Sequence, residues 1–156
     1  MKIEIFTKNR FAVIGKMGST ESGEGFIAAL WKDANLHFHE VEPLARRDEN
    51  GSLVGCWGAM SDRGMRFLPW EKDFREGLYL AGIESRDDAE APAGWVKWII
   101  PGFRYLRIEV QEGNRDTFTK GLSYLAENRY PLVGAVQELT DPKTGVSYLC
   151  FPIERL

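Results

Sequence analysis

The sequence is poor in the features that assign a function at a glance. It has two cysteines, two histidines and a net charge of only −3 over 156 residues. Lysine and arginine are scattered, and the longest basic run, Arg46-Arg47, is followed at once by Asp48 and Glu49. Nucleic-acid-binding domains carry a basic stripe or patch, so DNA and RNA are not expected partners. No window approaches the roughly 20 apolar residues of a membrane span, so no membrane is expected either. Residues Met1 to Arg10 alternate in charge and lack the apolar stretch of a signal peptide. Cys56 and Cys150 each stand alone in an apolar run. Free, buried thiols in a reducing, cytoplasmic compartment are therefore expected.

Catalytic and cofactor signatures are missing too. Gly18-Ser19-Thr20-Glu21-Ser22-Gly23 lacks the lysine of a phosphate-binding loop. Neither His37 nor His39 can be tied to a nucleophile motif, so a Ser/His/Asp triad is not supported. His37 and His39 lie near Glu40 and Glu42, but no spacing converges the three or four ligands a metal needs. No cofactor and no metal site are expected. Ser61-Asp62 and Thr140-Asp141 recur at strand ends, where such pairs make turn hydrogen bonds. Glu84 and Glu154 close two further strands and read as exposed chain-end charges.

What is present is a chain of ordinary globular composition, 44% apolar and 28% charged. A chain of this length buries roughly 68–70% of its unfolded surface, so a core without staples is expected. Alternation and apolar runs predict strands at Met1–Phe6, Phe11–Gly15, Leu53–Met60, Leu78–Glu84, Trp95–Ile100, Tyr105–Val110, Leu132–Leu139 and Val146–Ile153. Helical spacing of Phe26, Ile27, Leu30, Trp31, Ala34 and Phe38 predicts a helix over Gly25–Val41. Phe118, Leu122 and Leu125 predict a second, Thr117–Asn128.

The chain also repeats itself. Leu53-Val54-Gly55-Cys56-Trp57-Gly58-Ala59-Met60-Ser61-Asp62 aligns without a gap on Leu132-Val133-Gly134-Ala135-Val136-Gln137-Glu138-Leu139-Thr140-Asp141. Both segments follow a helix, and the segment from Tyr79 resembles the one from Tyr148. The predicted fold class is α+β: a duplicated β-α-β-β unit with pseudo-two-fold symmetry, forming a single domain with halves at roughly 1–86 and 94–156. Strand alternation puts Leu53, Gly55, Trp57 and Ala59 on one face and Leu132, Gly134, Val136 and Glu138 on the equivalent one. Trp57 and Glu138 are then expected to look into one central region, with Tyr79 and Tyr148 as a second matched pair. Glu138 breaks an otherwise apolar strand. It is either an inward carboxylate in an apolar cleft, suited to a cationic ligand, or an outward residue on a half-exposed strand. Five tryptophans add flat faces that attract cations and aromatic ligands. Trp95 and Trp98 have opposite parity, so an unbulged strand sends at most one of them to the pocket.

Several short segments, in order, resemble the GyrI-like family of small-molecule-binding domains, which includes the effector-binding domains of MerR-type and AraC-type multidrug regulators. Trp95–Ile100 leading into Pro101-Gly102-Phe103-Arg104-Tyr105-Leu106 resembles that family's iPaG.Y segment. Val136-Gln137-Glu138-Leu139 is similar to its fElY strand, and Tyr148-Leu149-Cys150-Phe151-Pro152-Ile153 to its iylPv ending. The resemblance implies a concave antiparallel sheet with two helices, a cleft between the halves, and a cleft glutamate at Glu138 that meets small hydrophobic or cationic molecules. Ligand-binding residues implied on this reading are Glu138, Trp57, Tyr79, Trp95, Trp98 and Tyr148. Some stand-alone members hydrolyse cyclopropane-bearing cytotoxins, which would make Glu138 a catalytic residue; others bind a protein partner. The sequence as given opens directly on the first strand, so a transcription-factor role of its own is not expected. The long segment Asp62–Gly77 and the acidic loop before Trp95 depart from the family pattern and are expected to reshape the pocket.

Overall fold

The computed structural model describes residues 2–111 and 116–156. Eight strands form one antiparallel sheet: β1 (Ile3–Lys8), β2 (Phe11–Ser19), β3 (Cys56–Ser61), β4 (Leu78–Ser85), β5 (Val96–Ile100), β6 (Phe103–Val110), β7 (Gln137–Thr140) and β8 (Ser147–Arg155). Among the described residues, three α-helices accompany them: α1 (Phe26–Leu36), the single turn α2 (Glu71–Phe74) and α3 (Thr117–Glu127). Met1, expected in the first strand, lies outside the described residues. Among the described residues, no helix is long and apolar enough to cross a membrane.

The strand order, β1-β6-β8-β7-β3-β4-β2-β5, is symmetric about the β7–β3 seam. Each half is a β-α-β-β unit, β2-α1-β3-β4 or β6-α3-β7-β8, as the duplication predicts. The leading strands are exchanged: β1 pairs with β6 of the second unit and β5 with β2 of the first. Asn9-Arg10 and Pro101-Gly102 each join strands on opposite sides of the sheet. Such a connection spans only about 10 Å, so the sheet must curl until its two sides approach. It curls around an inner apolar layer that includes Phe11, Trp57, Trp98, Phe103, Tyr105 and Cys150.

The other face carries the helices. α1 lays Phe26, Ile27, Leu30, Trp31 and Ala34 on Ile14, Tyr79, Ala81 and Ile83. α3 lays Phe118, Leu122 and Leu125 on Leu106, Ile108 and Phe151. A Cβ at Gly121 would overlap the Phe151 ring, so this glycine lets α3 sit close to the sheet. α1 packs on β2 and β4, and α3 on β6 and β8. The helices thus straddle the β7–β3 seam and leave a groove above it.

Some elements differ from expectation for identifiable reasons. The first helix stops at Leu36 rather than Val41. The His37 ring there bonds back to the Asp33 carbonyl and side chain, and 3₁₀ turns, one containing Pro43, follow. Leu53–Gly55 lies outside β3; Leu53 forms a bridge with Arg47 and Val54 donates to the Arg46 carbonyl. Residues 132–136 are no strand either. Pro152 stands opposite them and directs its carbonyl toward them, accepting from Val133 N–H at 2.9 Å. An antiparallel residue points its amide the same way, and proline has none. Ala135 N–H turns away to the Phe67 carbonyl at 2.8 Å.

Candidate functional site

Glu138 lies on β7 directly opposite Gly58 of β3, at the centre of the seam. Directly opposed residues share a face, and here it is the face that carries the helices. Tyr79, on β4, reaches across β3 and donates its hydroxyl hydrogen to Glu138 Oε1 at 2.5 Å. The hydroxyl oxygen accepts from Trp31 Nε1 of α1 at 2.8 Å. A Cβ on Gly58 would overlap both Tyr79 Oη and Glu138 Oε1, so the missing side chain is what lets them meet. Gln137 closes the seam beside them. Its amide accepts from Met60 N–H at 2.7 Å and donates to the Met60 carbonyl at 3.1 Å, continuing the ladder where residue 136 leaves the sheet.

Glu138 divides the groove into two lobes. The larger, of about 380 Å³, is lined by Ile27, Met60, Trp70, Phe74, Phe118 and Val136 among others. The smaller, of about 210 Å³, includes Trp31, Gly58, Tyr79, Thr140 and Ser147. Residues 62–77 wall off the larger lobe. Asp62 accepts the amides of Arg66 and Leu68, and Trp70 Nε1 donates to the Leu78 carbonyl. Phe74 meets Phe118 of α3 edge-on, with ring centroids 5.1 Å apart.

No Lys, Arg or His nitrogen among the described residues lies within 4 Å of the Glu138 carboxylate, and Tyr79 is its one hydrogen-bond donor. Burial raises its pKa above the ordinary 4.5, while the Tyr79 bond lowers it by less. Tyr79 is fully buried. Its phenol is pushed up, first by burial and then by the neighbouring carboxylate. The site therefore places a carboxyl group in an apolar cleft with, among the described residues, a single neutral donor.

The residues expected around Glu138 divide between the two faces. Tyr79 joins it. Trp57 does not: its register partner is Leu139, so it faces the inner layer, where it is 1% exposed and donates to Glu84. The repeat alignment set Ala59 against Glu138, but Ala59 lies in the inner layer and Gly58 shares the face of Glu138. That alignment is one residue off the spatial equivalence, which reverses the inferred face. Tyr148, expected to match Tyr79, borders the smaller lobe, but its ring packs inward 4.2 Å from the Arg107 guanidinium. Trp98 is buried in the inner layer. Trp95 lies on the helix face but away from Glu138, bonded to Glu40 at 2.8 Å beside a separate 70 Å³ cavity. Glu84, expected to be exposed, is 2% exposed and paired with Lys8 at 3.1 Å. The aromatic groups that do surround the groove, Trp31, Trp70, Phe74 and Phe118, were missed. The place of Trp31 on the α1 face that meets the sheet is a usable signal for it.

The sequence matches no protein-family profile and no curated protein. Solved structures do match. A structure of SAV2435 bound to tetraphenylphosphonium superposes with TM-score 0.67 at 14% identity, covering 99% of this chain and 94% of that one. The EcmrR C-terminal domain gives 0.64 at 10%, covering 99% and 98%. A putative transcription regulation protein from Staphylococcus aureus gives 0.64 at 11%, covering 99% of each chain. At these identities the likeness is one of fold, and the fold of this chain is that of SAV2435 and the EcmrR C-terminal domain, in keeping with its resemblance to GyrI-like small-molecule-binding domains.

Proposed function

We propose that this protein binds aromatic, amphipathic cations in the groove at Glu138 and acts by sequestering them. One observation carries the reading: Glu138 is a partly buried carboxylate, in an apolar groove, without a cationic partner among the described residues. An anion so placed is costly unless neutralised. A ligand cation supplies the missing charge, and Trp70, Phe74 and Phe118 supply flat surface for its aromatic body. That SAV2435, of the same fold, is bound to tetraphenylphosphonium supports the same ligand class.

The test is titration of a fluorescent aromatic cation, followed by polarisation, with the wild type and Glu138→Gln. Micromolar binding, about −8 kcal/mol, that weakens tenfold or more in the variant supports the reading. Equal binding by both proteins, or by neither, rejects it.

The short Tyr79–Glu138 bond and the raised basicity of Glu138 favour a second reading. A carboxylate of this kind can take a proton from water as the water oxygen bonds to a ring carbon of a cyclopropane conjugated to a carbonyl. The strained C–C bond breaks, its electron pair passes to the carbonyl and is then protonated, and the assistance is worth roughly 10²–10⁴-fold. Turnover of such compounds by the wild type and not by Glu138→Gln would establish hydrolysis; binding without turnover leaves sequestration.

A further inference from the structure

The two lobes of the groove differ in chemistry. Beyond Glu138, the smaller lobe carries the side chains of Thr140 and Ser147, which are directly paired across β7 and β8. Their hydroxyl oxygens lie 2.8 Å apart. A hydroxyl offers one hydrogen and two lone pairs, and the mutual bond uses one hydrogen and one lone pair. The second hydrogen and the other lone pairs meet no further partner among the described residues. Thr140 is two residues beyond Glu138 on the same strand and face, which places their Cα atoms about 7 Å apart. The larger lobe, in contrast, is walled mostly by apolar side chains, Ile27, Met60, Phe74, Phe118 and Val136. Of its polar groups besides Glu138, the Trp70 N–H is taken by the Leu78 carbonyl and Thr117 is already engaged.

We propose that Thr140 and Ser147 form a hydroxyl subsite. It selects, among aromatic cations, those that carry a hydroxyl, ether, carbonyl or amide group a few atoms from the charge. The proposal rests on the reading of Glu138 as the partner of the cation. In this arrangement the aromatic body fills the larger lobe, the charge sits at Glu138, and the polar group reaches the paired hydroxyls. Because the pair has both a free hydrogen and free lone pairs, it serves an acceptor or a donor on the ligand.

Two matched probes test this: 3-hydroxypropyl-triphenylphosphonium and butyl-triphenylphosphonium, which differ by a terminal hydroxyl against a methyl. Their dissociation constants are measured by calorimetry with the wild type, Thr140→Val/Ser147→Ala and Glu138→Gln. The wild type is expected to prefer the hydroxypropyl cation. The double variant is expected to lower that preference about three- to tenfold, the range of one hydrogen bond, with butyl affinity held within about twofold as the control for folding. An unchanged preference, with both cations still weakened by Glu138→Gln, overturns the subsite and leaves the cation reading standing. Failure of the wild type to bind either cation, or indifference of both to Glu138→Gln, overturns the cation reading and the subsite with it. Should the double variant fail to fold, longer tails on the wild type decide the matter. A 6-hydroxyhexyl tail overshoots the pair, so its preference over heptyl is expected to vanish; a preference that persists at that length overturns the subsite.

Discussion

Glu84 and Glu138 sit on interior strands, one in each half of the sheet, and their surroundings are opposite. Glu84 faces the inner layer. It accepts from Trp57 Nε1 at 3.0 Å, pairs with Lys8 at 3.1 Å, and has Arg46 at 3.7 Å. Lys8 in turn lies over the Phe11 ring. Since Lys8 belongs to β1 and Glu84 to β4, this pair ties the second half of the sheet to the first across the inner layer. Glu138 faces the groove with, among the described residues, one neutral donor and no cation. Burial alone therefore does not mark a binding carboxylate. The difference lies in which partners the fold supplies and which it leaves to a ligand.

The largest effect is expected from breaking the satisfied member. Glu84→Gln leaves Lys8 without its carboxylate and should cost about 3 kcal/mol. For a chain of this size that lowers Tm by about 10 °C. Cation affinity should stay within about twofold, because the groove lies on the other face. Thermal unfolding and dye titration on the same samples check both halves of the statement. A large loss of affinity without loss of stability would reverse the roles assigned to the two carboxylates.

Next in size is Gly58→Ala. The added methyl occupies the point where Tyr79 and Glu138 meet. Overpacking of this kind costs about 1–3 kcal/mol, and parting Glu138 from its donor should weaken cation binding as well. A variant as stable as the wild type, with unchanged affinity, would show that the Tyr79–Glu138 bond does not shape the site.

Glu138→Gln should act in the opposite sense to Glu84→Gln. Affinity for a cation falls at least tenfold, about 1.4 kcal/mol, while Tm at neutral pH rises. The sign follows from the raised pKa of Glu138. The fold favours the protonated carboxyl, so its contribution to stability is full below the unfolded value near 4.5 and is lost as pH rises through the folded value. Cation binding runs the other way, because only the ionised form attracts the ligand. As pH is lowered from 8, wild-type affinity should begin to fall while still above pH 4.5, and Glu138→Gln should show no such decline. A flat wild-type profile down to pH 4.5 would count against a raised carboxyl.

The strand-helix-strand-strand order of each unit and its repeat were legible in the sequence because they rest on local signals, alternation and helical spacing, and Glu138 stood out as one charge in an apolar run. The exchange of β1 and β5 between the halves was not legible, because it depends on pairing between distant strands. The face on which each aromatic falls was not legible either. It depends on register, and one residue of offset in an otherwise sound alignment put Trp57 and the ring of Tyr148 on the wrong side. Residues 132–136 misled for a related reason. Their apolar run reads as strand, but the partner that would complete the ladder is Pro152, twenty residues away from Leu132 in a different element. Glu84 looked exposed because its partners Lys8, Arg46 and Trp57 come from three distant segments. The walls of the groove come from α1, residues 62–77 and α3, and no local pattern brings Ile27, Phe74 and Phe118 together.

The smallest expected effect probes the link between α1 and the carboxylate. Trp31 donates to Tyr79, and Tyr79 donates to Glu138. Each donor in such a chain strengthens the next, so the Trp31 N–H makes Tyr79 a better donor to the ionised form of Glu138. Trp31→Phe keeps an aromatic ring, smaller than the indole, and removes that hydrogen. Ionised Glu138 is then less well held, and the pH at which cation affinity falls should move upward. Affinity on the alkaline plateau of the profile should change by less than about threefold, within the reach of one hydrogen bond. Paired pH titrations of the wild type and Trp31→Phe measure the displacement. A downward shift would mean that Trp31 competes with Glu138 for Tyr79 rather than reinforcing it, and the comparison between the two carboxylates would then rest on Tyr79 alone.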